Sequence, residues 1–316
     1  MRWSWPSLAV ALVVWAILPL VVSRGTADLL VFTGIYSIAG LGIGLLLGHC
    51  GIVNLAQATF YGIGAYASAY CAVNLGLPAP VGFSVGALVS MALAYVIGRP
   101  VLRLTGYFLA LGTLALSAIA SALFFEWDWL TGGTLGIGGI PKLGLLGFAL
   151  DRPSRYYYFV WIVAFGCMIV ARNLVDSRTG LMLRAMRDSS TAAASLTVDI
   201  QGLRTRIFVV CALFGSIAGS LFAHHASFVS TQSFTVERSI TFLLIPVIGG
   251  ATSIPGIVVG ALFVTFLPEL LSKLGDFHQI LFGLALVAVV VALPNGVMGA
   301  VESLWIRATR RSGHGG

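Results

Sequence analysis

The chain has 316 residues, of which 58% are hydrophobic and only 9% are charged, and its formal net charge is +7. Soluble domains carry about 25% charged residues, so this chain has too few charges to cover a surface that faces water. The composition therefore excludes a soluble enzyme and a disordered protein, and it indicates a protein that lies largely in lipid.

Apolar runs of about 20 residues predict an all-α polytopic integral membrane protein with about ten transmembrane helices. The first run follows Arg2 and lacks a small-residue cleavage site, so we interpret it as an uncleaved span. The run 239–252 is short, which predicts a half-spanning or broken helix. The predicted spans are 7–23, 28–47, 52–75, 79–98, 105–125, 156–172, 205–227, 239–252, 255–272 and 277–294.

The basic residues orient these spans. With the N-terminus in the cytoplasm, 12 of the 18 lysines and arginines fall on the inner side and 6 on the outer side. This bias predicts that both termini are cytoplasmic. The basic residues lie in short gaps between apolar runs and form no stripe interleaved with exposed aromatic residues, so no nucleic-acid partner is expected.

Two polar segments interrupt the apolar pattern, a glycine-rich outer loop at 126–155 and a cytoplasmic loop at 173–204. Neither is large enough for a separate folded unit, so we predict one transmembrane domain over residues 1–316. In the inner loop, Leu181, Arg184 and Asp188 follow helical spacing, and Ser189 or Ser190 can cap a second short helix. This loop is either a solvated interfacial segment or a docking element for a cytoplasmic partner.

The sequence contains no motif for chemistry of its own. Its two lysines, Lys142 and Lys273, do not complete a phosphate-binding loop, so any ATPase that drives this protein is a separate chain. His224 and His225 are adjacent and point about 100° apart on a helix, which disfavours a shared metal. The four cysteines lie in apolar segments and are interpreted as buried hydrophobic residues. We therefore expect no catalytic residue, no metal site and no enzymatic activity.

Polar residues inside spans are costly and therefore informative. Asn54 and Gln57 are three residues apart, so we expect them to share a helix face. They either form hydrogen bonds between helices or line a central pathway, and the candidate pathway residues are Asn54, Gln57, Tyr61 and Thr113. Glycines at G-x-x-x-G spacing predict close helix packing, although some could instead line the pathway or allow helices to slide.

Taken together, these segments resemble the branched-chain (hydrophobic) amino-acid ABC transporter permeases of bacteria, and specifically the M-type subunit. The likeness covers nearly the whole chain in order. The segments that carry it are 61–66, 106–115, 130–136, 139–141, 177–196, 248–250, 267–269 and 294–296.

The resemblance implies a permease subunit of the bacterial inner membrane that pairs with a second permease subunit. It implies that cytoplasmic ATP-binding subunits bind the ATP, with no cofactor in this chain, and that a periplasmic binding protein delivers the substrate. The substrate would be a branched-chain or related small amino acid, urea or a short amide. The implied ATPase-coupling residues are Gly180, Arg184, Ala185, Arg187, Asp188, Ala192, Ala193 and Ala194, and those implied to face the binding protein are Thr131, Gly132 and Gly133.

Two other classes stay open at this point. A secondary transporter or channel for a small polar solute would work without an ATPase, but coupled transporters usually keep carboxylates in mid-span, and these are nearly absent here. A membrane enzyme or structural scaffold would need a catalytic constellation, which the sequence does not display.

Overall fold

The computed structural model describes residue 19 and residues 22–145, 148–149, 152–195, 199–272, 278–293 and 296–300. Almost all of the predicted span 7–23 lies outside these residues, as do Pro294, Asn295 and the C-terminal tail. In chain order the helices are α1 (Arg24–Gly44) with a π-helical turn (Leu45–His49), α2 (Gln57–Val73), α3 (Ala79–Val101), α4 (Tyr107–Glu126), α5 (Asp128–Thr131), α6 (Pro153–Asp176), α7 (Arg178–Asp188), α8 (Ser190–Ser195), α9 (Ile200–Ala226), a 3₁₀ turn (Thr231–Phe234), α10 (Val236–Gly249), α11 (Ile254–Ser272) and α12 (His278–Ala292).

Each predicted apolar run within the described residues corresponds to a helix. Six of these helices are long and apolar enough to cross a membrane, namely α1 with its π-helical turn, α3, α4, α6, α9 and α11. The other three, α2, α10 and α12, have 17, 14 and 15 residues. A helix of 14 residues is about 21 Å long, which is shorter than the hydrocarbon core of a bilayer. The structure therefore confirms a multi-pass helical protein.

Helices α1 and α9 form the centre of the described bundle, because most of their side chains are buried. Helix α9 packs against α1, α2 and α3, and α1 also packs against α6, α10 and α11. The outer helices expose large apolar side chains such as Leu88, Val96 and Ile162. In water such a surface would be unfavourable, whereas in a bilayer it is the surface expected to contact lipid.

Glycines set the close contacts between α2, α3 and α9. A Cβ on Gly64 of α2 would meet the backbone of Ser216 in α9, and a Cβ on Gly219 of α9 would meet the Tyr61 carbonyl in α2. Gly86 of α3 lies against both Gly64 and Ser216. Helix backbones can approach this closely only where side chains are small. The prediction that G-x-x-x-G glycines mediate helix packing is therefore confirmed at this crossing.

The predicted span 52–75 is not one continuous helix. Gly51 has a left-handed φ of 68°, residues 51–56 are non-helical, and α2 begins only at Gln57. The Asn54 side chain accepts a hydrogen bond from the Ala56 amide at 2.9 Å, a local bond that competes with helix formation. The expectation that Asn54 and Gln57 share a helix face is therefore wrong, because Asn54 precedes the helix.

Two short antiparallel pairs depart from the all-α prediction. Strand β1 (Ile137–Gly138) pairs with β4 (Phe228–Val229), and β2 (Gly144–Leu145) pairs with β3 (Phe148–Ala149). Several glycines that precede β1 have left-handed φ values, and this backbone conformation does not continue a helix. As a result, the pairing of β1 with β4 attaches part of the glycine-rich segment, residues 126–155, to the chain that directly follows α9.

Candidate functional site

The 51–56 segment runs from one end of the bundle into its interior. The Ile52 amide donates to the Leu46 carbonyl at 3.0 Å, whereas Gln57 contacts the Ala39 carbonyl. Ala39 lies ten residues before His49 in a continuous helical path, which corresponds to about 15 Å at 1.5 Å per residue. Non-helical backbone at membrane depth is tolerated only where protein or a water-filled cavity satisfies its polar groups.

Three side chains satisfy the backbone amides around this segment. The Leu55 amide donates to Thr113 Oγ1 of α4 at 3.1 Å, and the Ala58 amide donates to Ser239 Oγ of α10 at 3.0 Å. Asn54 binds the Ala56 amide, as described above. Elements that are distant in sequence therefore hold the start of α2 in place, and Thr113 and Asn54 meet at one site as candidate pathway residues.

Gln57 is buried at the first position of α2 and is fully hydrogen-bonded. Its Nε2 donates to the carbonyls of Ala39 at 3.1 Å and Cys211 at 3.3 Å, and its Oε1 accepts from the Cys211 thiol at 3.0 Å. The Asn54 amide also donates to Cys211 Sγ, at 3.4 Å. In this conformation both polar residues form hydrogen bonds between elements, so a pathway role requires a state in which this cluster opens.

Tyr61, the fourth candidate pathway residue, lies one turn further along α2. Its ring packs against those of Phe222, Phe234 and Phe242, with centroids 5.0–5.7 Å apart. These rings come from α9, the 3₁₀ turn and α10. Tyr61 is therefore part of an aromatic cluster that lies next to the polar cluster, one helical turn further along α2.

Replacement of Gln57 by leucine is expected to lower the stability of the folded protein by about 1–3 kcal/mol. The substitution removes one hydrogen-bond partner from each of two buried carbonyls and a thiol, and hydrogen bonds lost in the interior lower stability. The measurement is the thermal unfolding temperature of the purified protein in mild detergent. Gln201→Leu is the matched control, because the Gln201 amide is bonded at an exposed position. An unchanged unfolding temperature together with an altered substrate range would contradict the packing interpretation.

Helices α7 and α8, which we call the α7–α8 hairpin, confirm the two short helices predicted in the inner loop. Gly180, Leu183 and Met186 form the buried face of α7. Leu181, which has helical spacing with Arg184 and Asp188, shares their exposed face and is 64% exposed, and Met182 beside it is exposed as well. The outward face of α7 therefore combines apolar side chains with the charges of Arg184 and Asp188.

Arg187 connects α7 to the end of α1. Its guanidinium donates to the Gly48 carbonyl in the π-helical turn, and its Cγ lies beside Gly51, where the non-helical segment begins. Arg184 is exposed on α7 and donates to the Val175 carbonyl at the end of α6, at 3.3 Å. The two arginines thus differ in position, since one contacts the break in the membrane helix and the other faces outward.

The remaining implied coupling residues also differ in position, because some are buried in the hairpin and others are exposed. Gly180 and Ala193 are buried inside the hairpin, and a Cβ on Gly180 would meet the backbone of Val175. The side chain of Ala192 lies outside the described residues. The implied coupling residues that are exposed are Arg184, Ala185, Arg187, Asp188 and Ala194.

The glycine-rich segment forms a tight turn at the opposite end. Thr131 is buried, and its Oγ1 lies 2.7 Å from the Phe124 carbonyl and accepts from the Gly133 amide at 3.1 Å. Gly132 and Gly133 both have left-handed φ values, 72° and 53°. These three residues therefore shape the turn, and the adjoining exposed side chains are those of Trp129, Thr134 and Leu135.

Sequence reasoning missed Ser239 and Cys211 in the polar cluster and Met182 on the hairpin. Ser239 and Cys211 are single small residues in apolar runs, and only the packing of α9 and α10 against α2 brings them to Gln57. Met182 is adjacent to Leu181, so an apolar pair at the surface of a charged helix was the available signal. Among the described residues, no three His, Cys, Asp or Glu side chains are placed to hold a metal ion.

The fold and its buried polar break define a multi-pass membrane protein with a helical hairpin exposed at one end. The family described as "Branched-chain amino acid transport system / permease component" matches residues 25–291. The chain therefore belongs to this family of ABC-transporter permeases, which is a transport family rather than an enzyme family.

Similar proteins support the same placement. The chain is 31% identical to the high-affinity branched-chain amino acid transport system permease protein LivM of Escherichia coli, over 92% of this chain and 73% of the relative. It is 25% identical to the LivH permease protein of the same system in Escherichia coli, over 84% and 92%. The probable LivM of Methanocaldococcus jannaschii is 25% identical, over 74% and 77%. No solved structure matches the chain.

Proposed function

We propose that this chain is the M-type permease subunit of an importer for branched-chain or related small amino acids in the bacterial inner membrane. The observation that carries the proposal is the match to LivM over 92% of the chain, and the family match at residues 25–291 includes both the α7–α8 hairpin and the polar cluster. ATP is bound by separate subunits, and this chain contributes one permease domain without a catalytic centre. Urea and short amides are the alternative substrates.

A second permease subunit completes the transport unit. Escherichia coli LivM and LivH carry the same system name, and the chain is similar to both. Two related chains that pack side by side would form a pathway between them. A heterodimer is therefore the proposed assembly.

The end of the bundle that carries the α7–α8 hairpin faces the cytoplasm. Arg99 near the end of α3 lies at this end, since its carbonyl accepts from Gln201 at the start of α9 at 2.7 Å. Arg184 and Arg187 add to the positive charge there, as expected for an inner face. Trp127 and Trp129 are exposed near the other end, where aromatic residues are enriched at the second interface. This orientation supports cytoplasmic termini and ten spans.

The exposed face of α7 is the proposed docking surface for the ATP-binding subunits. Leu181 and Met182 present apolar area to the cytoplasm, and Arg184 and Asp188 flank it with charges of both signs. An apolar centre with a charged rim is the usual composition of a protein interface. The exposed part of the glycine-rich segment would receive the periplasmic binding protein at the other end.

Arg187 supplies a physical route from the docking surface to the membrane helices. A displacement of α7 would act on the Gly48 carbonyl and then on the 51–56 segment, which has no helical hydrogen bonds to resist bending. Helix α2 follows directly. The hairpin thus transmits movement between outward- and inward-facing states and performs no chemistry.

Purification from the native membrane in mild detergent tests this assembly. We expect a P-loop ATPase and a second permease subunit to copurify with the wild-type chain. Leu181→Asp is expected to lose the ATPase and retain the second permease, because it places a charge at the centre of the docking surface. Leu135→Asp is the matched control, since Leu135 is 84% exposed at the opposite end, and it should retain both partners.

Recovery of the wild-type chain alone or as a homo-oligomer would contradict the proposed assembly. It would favour an autonomous transporter and would make the hairpin a solvated linker. Loss of the ATPase from both leucine variants alike would show that docking does not depend on α7.

A further inference from the structure

A cavity of about 630 Å³ opens on the surface beside the outer half of α4. The 3₁₀ turn and the first residues of α10 form its other wall. Its volume lies within the range of about 300–1,000 Å³ that small-molecule sites occupy. The polar cluster described above is separate from it, because none of that cluster's residues lines this cavity.

The cavity is a groove along the surface of α4, and each residue that lines it is exposed or partly exposed. Ala118 and Glu126, which line its two ends on α4, are eight residues apart, or about 12 Å along the helix. Glu126 precedes Trp127, an exposed aromatic residue of the interfacial level. The cavity therefore extends along the exposed side of α4 from the end that carries Trp127.

The lining combines two kinds of surface. Hydroxyl and amide groups come from Ser121, Thr231, Gln232 and Thr235, whereas Ala122 and its neighbours on α4 supply apolar area. Polar side chains at this depth are unfavourable against lipid, so this face is expected to meet water, solute or protein. Such a mixture of apolar walls with a few polar groups is typical of a site that orients a small ligand.

Glu126 gives the cavity its charge. It is exposed, and within the described part of the chain its carboxylate has no hydrogen bond or ion pair. The described lining contains no lysine or arginine, so a bound cationic group would have no competitor. A carboxylate at a protein surface attracts an ammonium group more strongly than it would in bulk water.

We propose that this cavity binds an α-amino acid with an apolar side chain as it enters from the outer side. Glu126 receives the α-ammonium group, the hydroxyls and the Gln232 amide receive the carboxylate, and the side chain lies against Ala122 and Phe125. This assignment rests on the proposed import function and adds to it a specific site in this chain. A solute without an ammonium group would lose the contact with Glu126.

Thiol labelling of the assembled complex in its membrane tests the assignment. Cysteine is introduced as Ala122→Cys, and labelling by a membrane-impermeant maleimide is followed with and without L-leucine. The four native cysteines are buried, which keeps the background low. At a leucine concentration ten times its dissociation constant, we expect labelling to slow by about tenfold. 4-Methylpentanoate, which keeps the side chain and carboxylate but lacks the ammonium group, should give no protection.

Two further variants in the Ala122→Cys background test the role of Glu126. Glu126→Gln is expected to raise the leucine concentration needed for protection by about tenfold or more, since it removes a charge-assisted contact. Glu237→Gln is the matched control, because Glu237 is exposed nearby but does not line the cavity. It should leave the protection unchanged.

Equal labelling rates with and without leucine would overturn the assignment if Ser121→Cys, at a second lining position, behaves in the same way. Equal protection by 4-methylpentanoate would overturn the role of Glu126. ATP-dependent leucine uptake by the wild-type complex is measured in parallel. If that uptake is present and labelling is unaffected, only the cavity assignment fails, whereas absent uptake overturns the proposed function and the cavity assignment with it.

Discussion

Charge reversal at Arg184 and Arg187 together is expected to abolish ATP-driven uptake while the chain still inserts in the membrane. Arg184 lies on the exposed face of α7, and Arg187 donates to the Gly48 carbonyl at the end of α1. The double variant therefore changes both the docking surface and its connection to the membrane helices. The measurement is uptake of radiolabelled leucine, with the amount of membrane-inserted chain determined in parallel.

The single variants separate the two contributions. Arg184→Glu should reduce copurification of the ATPase, because it reverses the charge on the docking surface. Arg187→Gln should retain the ATPase but uncouple ATP hydrolysis from uptake, because it weakens the bond to Gly48. Arg172→Glu is the control for charge at this end, since Arg172 is exposed on α6 and pairs with Asp176. Normal uptake by the double variant would contradict a role of the hairpin in coupling.

Substitution of Gly219 by alanine is expected to prevent stable packing of α9 against α2. The new Cβ would overlap the Tyr61 carbonyl, and both atoms belong to helix backbones that cannot move aside independently. Overpacking of cores typically costs about 1–3 kcal/mol, and a contact between two backbones lies at or above the upper end of that range. We expect little folded protein after solubilisation, as measured by size-exclusion chromatography and by the thermal unfolding temperature.

Gly166→Ala in α6 is the matched control for this substitution. No atom lies within 4 Å of the added Cβ, so the change introduces no clash. Alanine also favours a helix over glycine by about 0.5–1 kcal/mol. The control should therefore equal or exceed the wild type in stability, and a similar loss in both variants would show that the crossing at Gly219 is not specifically packed.

Much of the fold was predictable because hydrophobicity along the chain determines which segments enter lipid. Every predicted run among the described residues corresponds to a helix, and the glycine spacing predicted close helix packing, which is found where α2, α3 and α9 cross. The break at residues 51–56 was not predictable from the apolar run. It depends on Thr113 and Ser239, which belong to distant helices, and their side chains satisfy backbone amides that a continuous helix would satisfy by itself.

The site was predictable in part for a similar reason. The helical spacing of the inner loop predicted the α7–α8 hairpin, and the cost of polar residues in a span pointed to Asn54 and Gln57. Which face of α7 is buried depends on its contact with the end of α6, where Gly180 meets Val175. Nor does the pattern of one segment reveal that Cys211 bonds to Gln57, because the two residues are 154 positions apart.

The pairing of β1 with β4 can form only late in synthesis, because β4 lies far downstream of β1 in the chain. Ile137 pairs with Val229, which is synthesised 92 residues later. The Pro141 carbonyl lies 2.7 Å from Nδ1 of His224 in α9, a helix that is also synthesised later. At about 5–20 residues per second, the ribosome reaches Val229 roughly 5–20 s after Ile137. The glycine-rich segment therefore lacks this pairing until residue 229 has been synthesised, and a nascent chain that ends before that residue has no β4 to pair with β1.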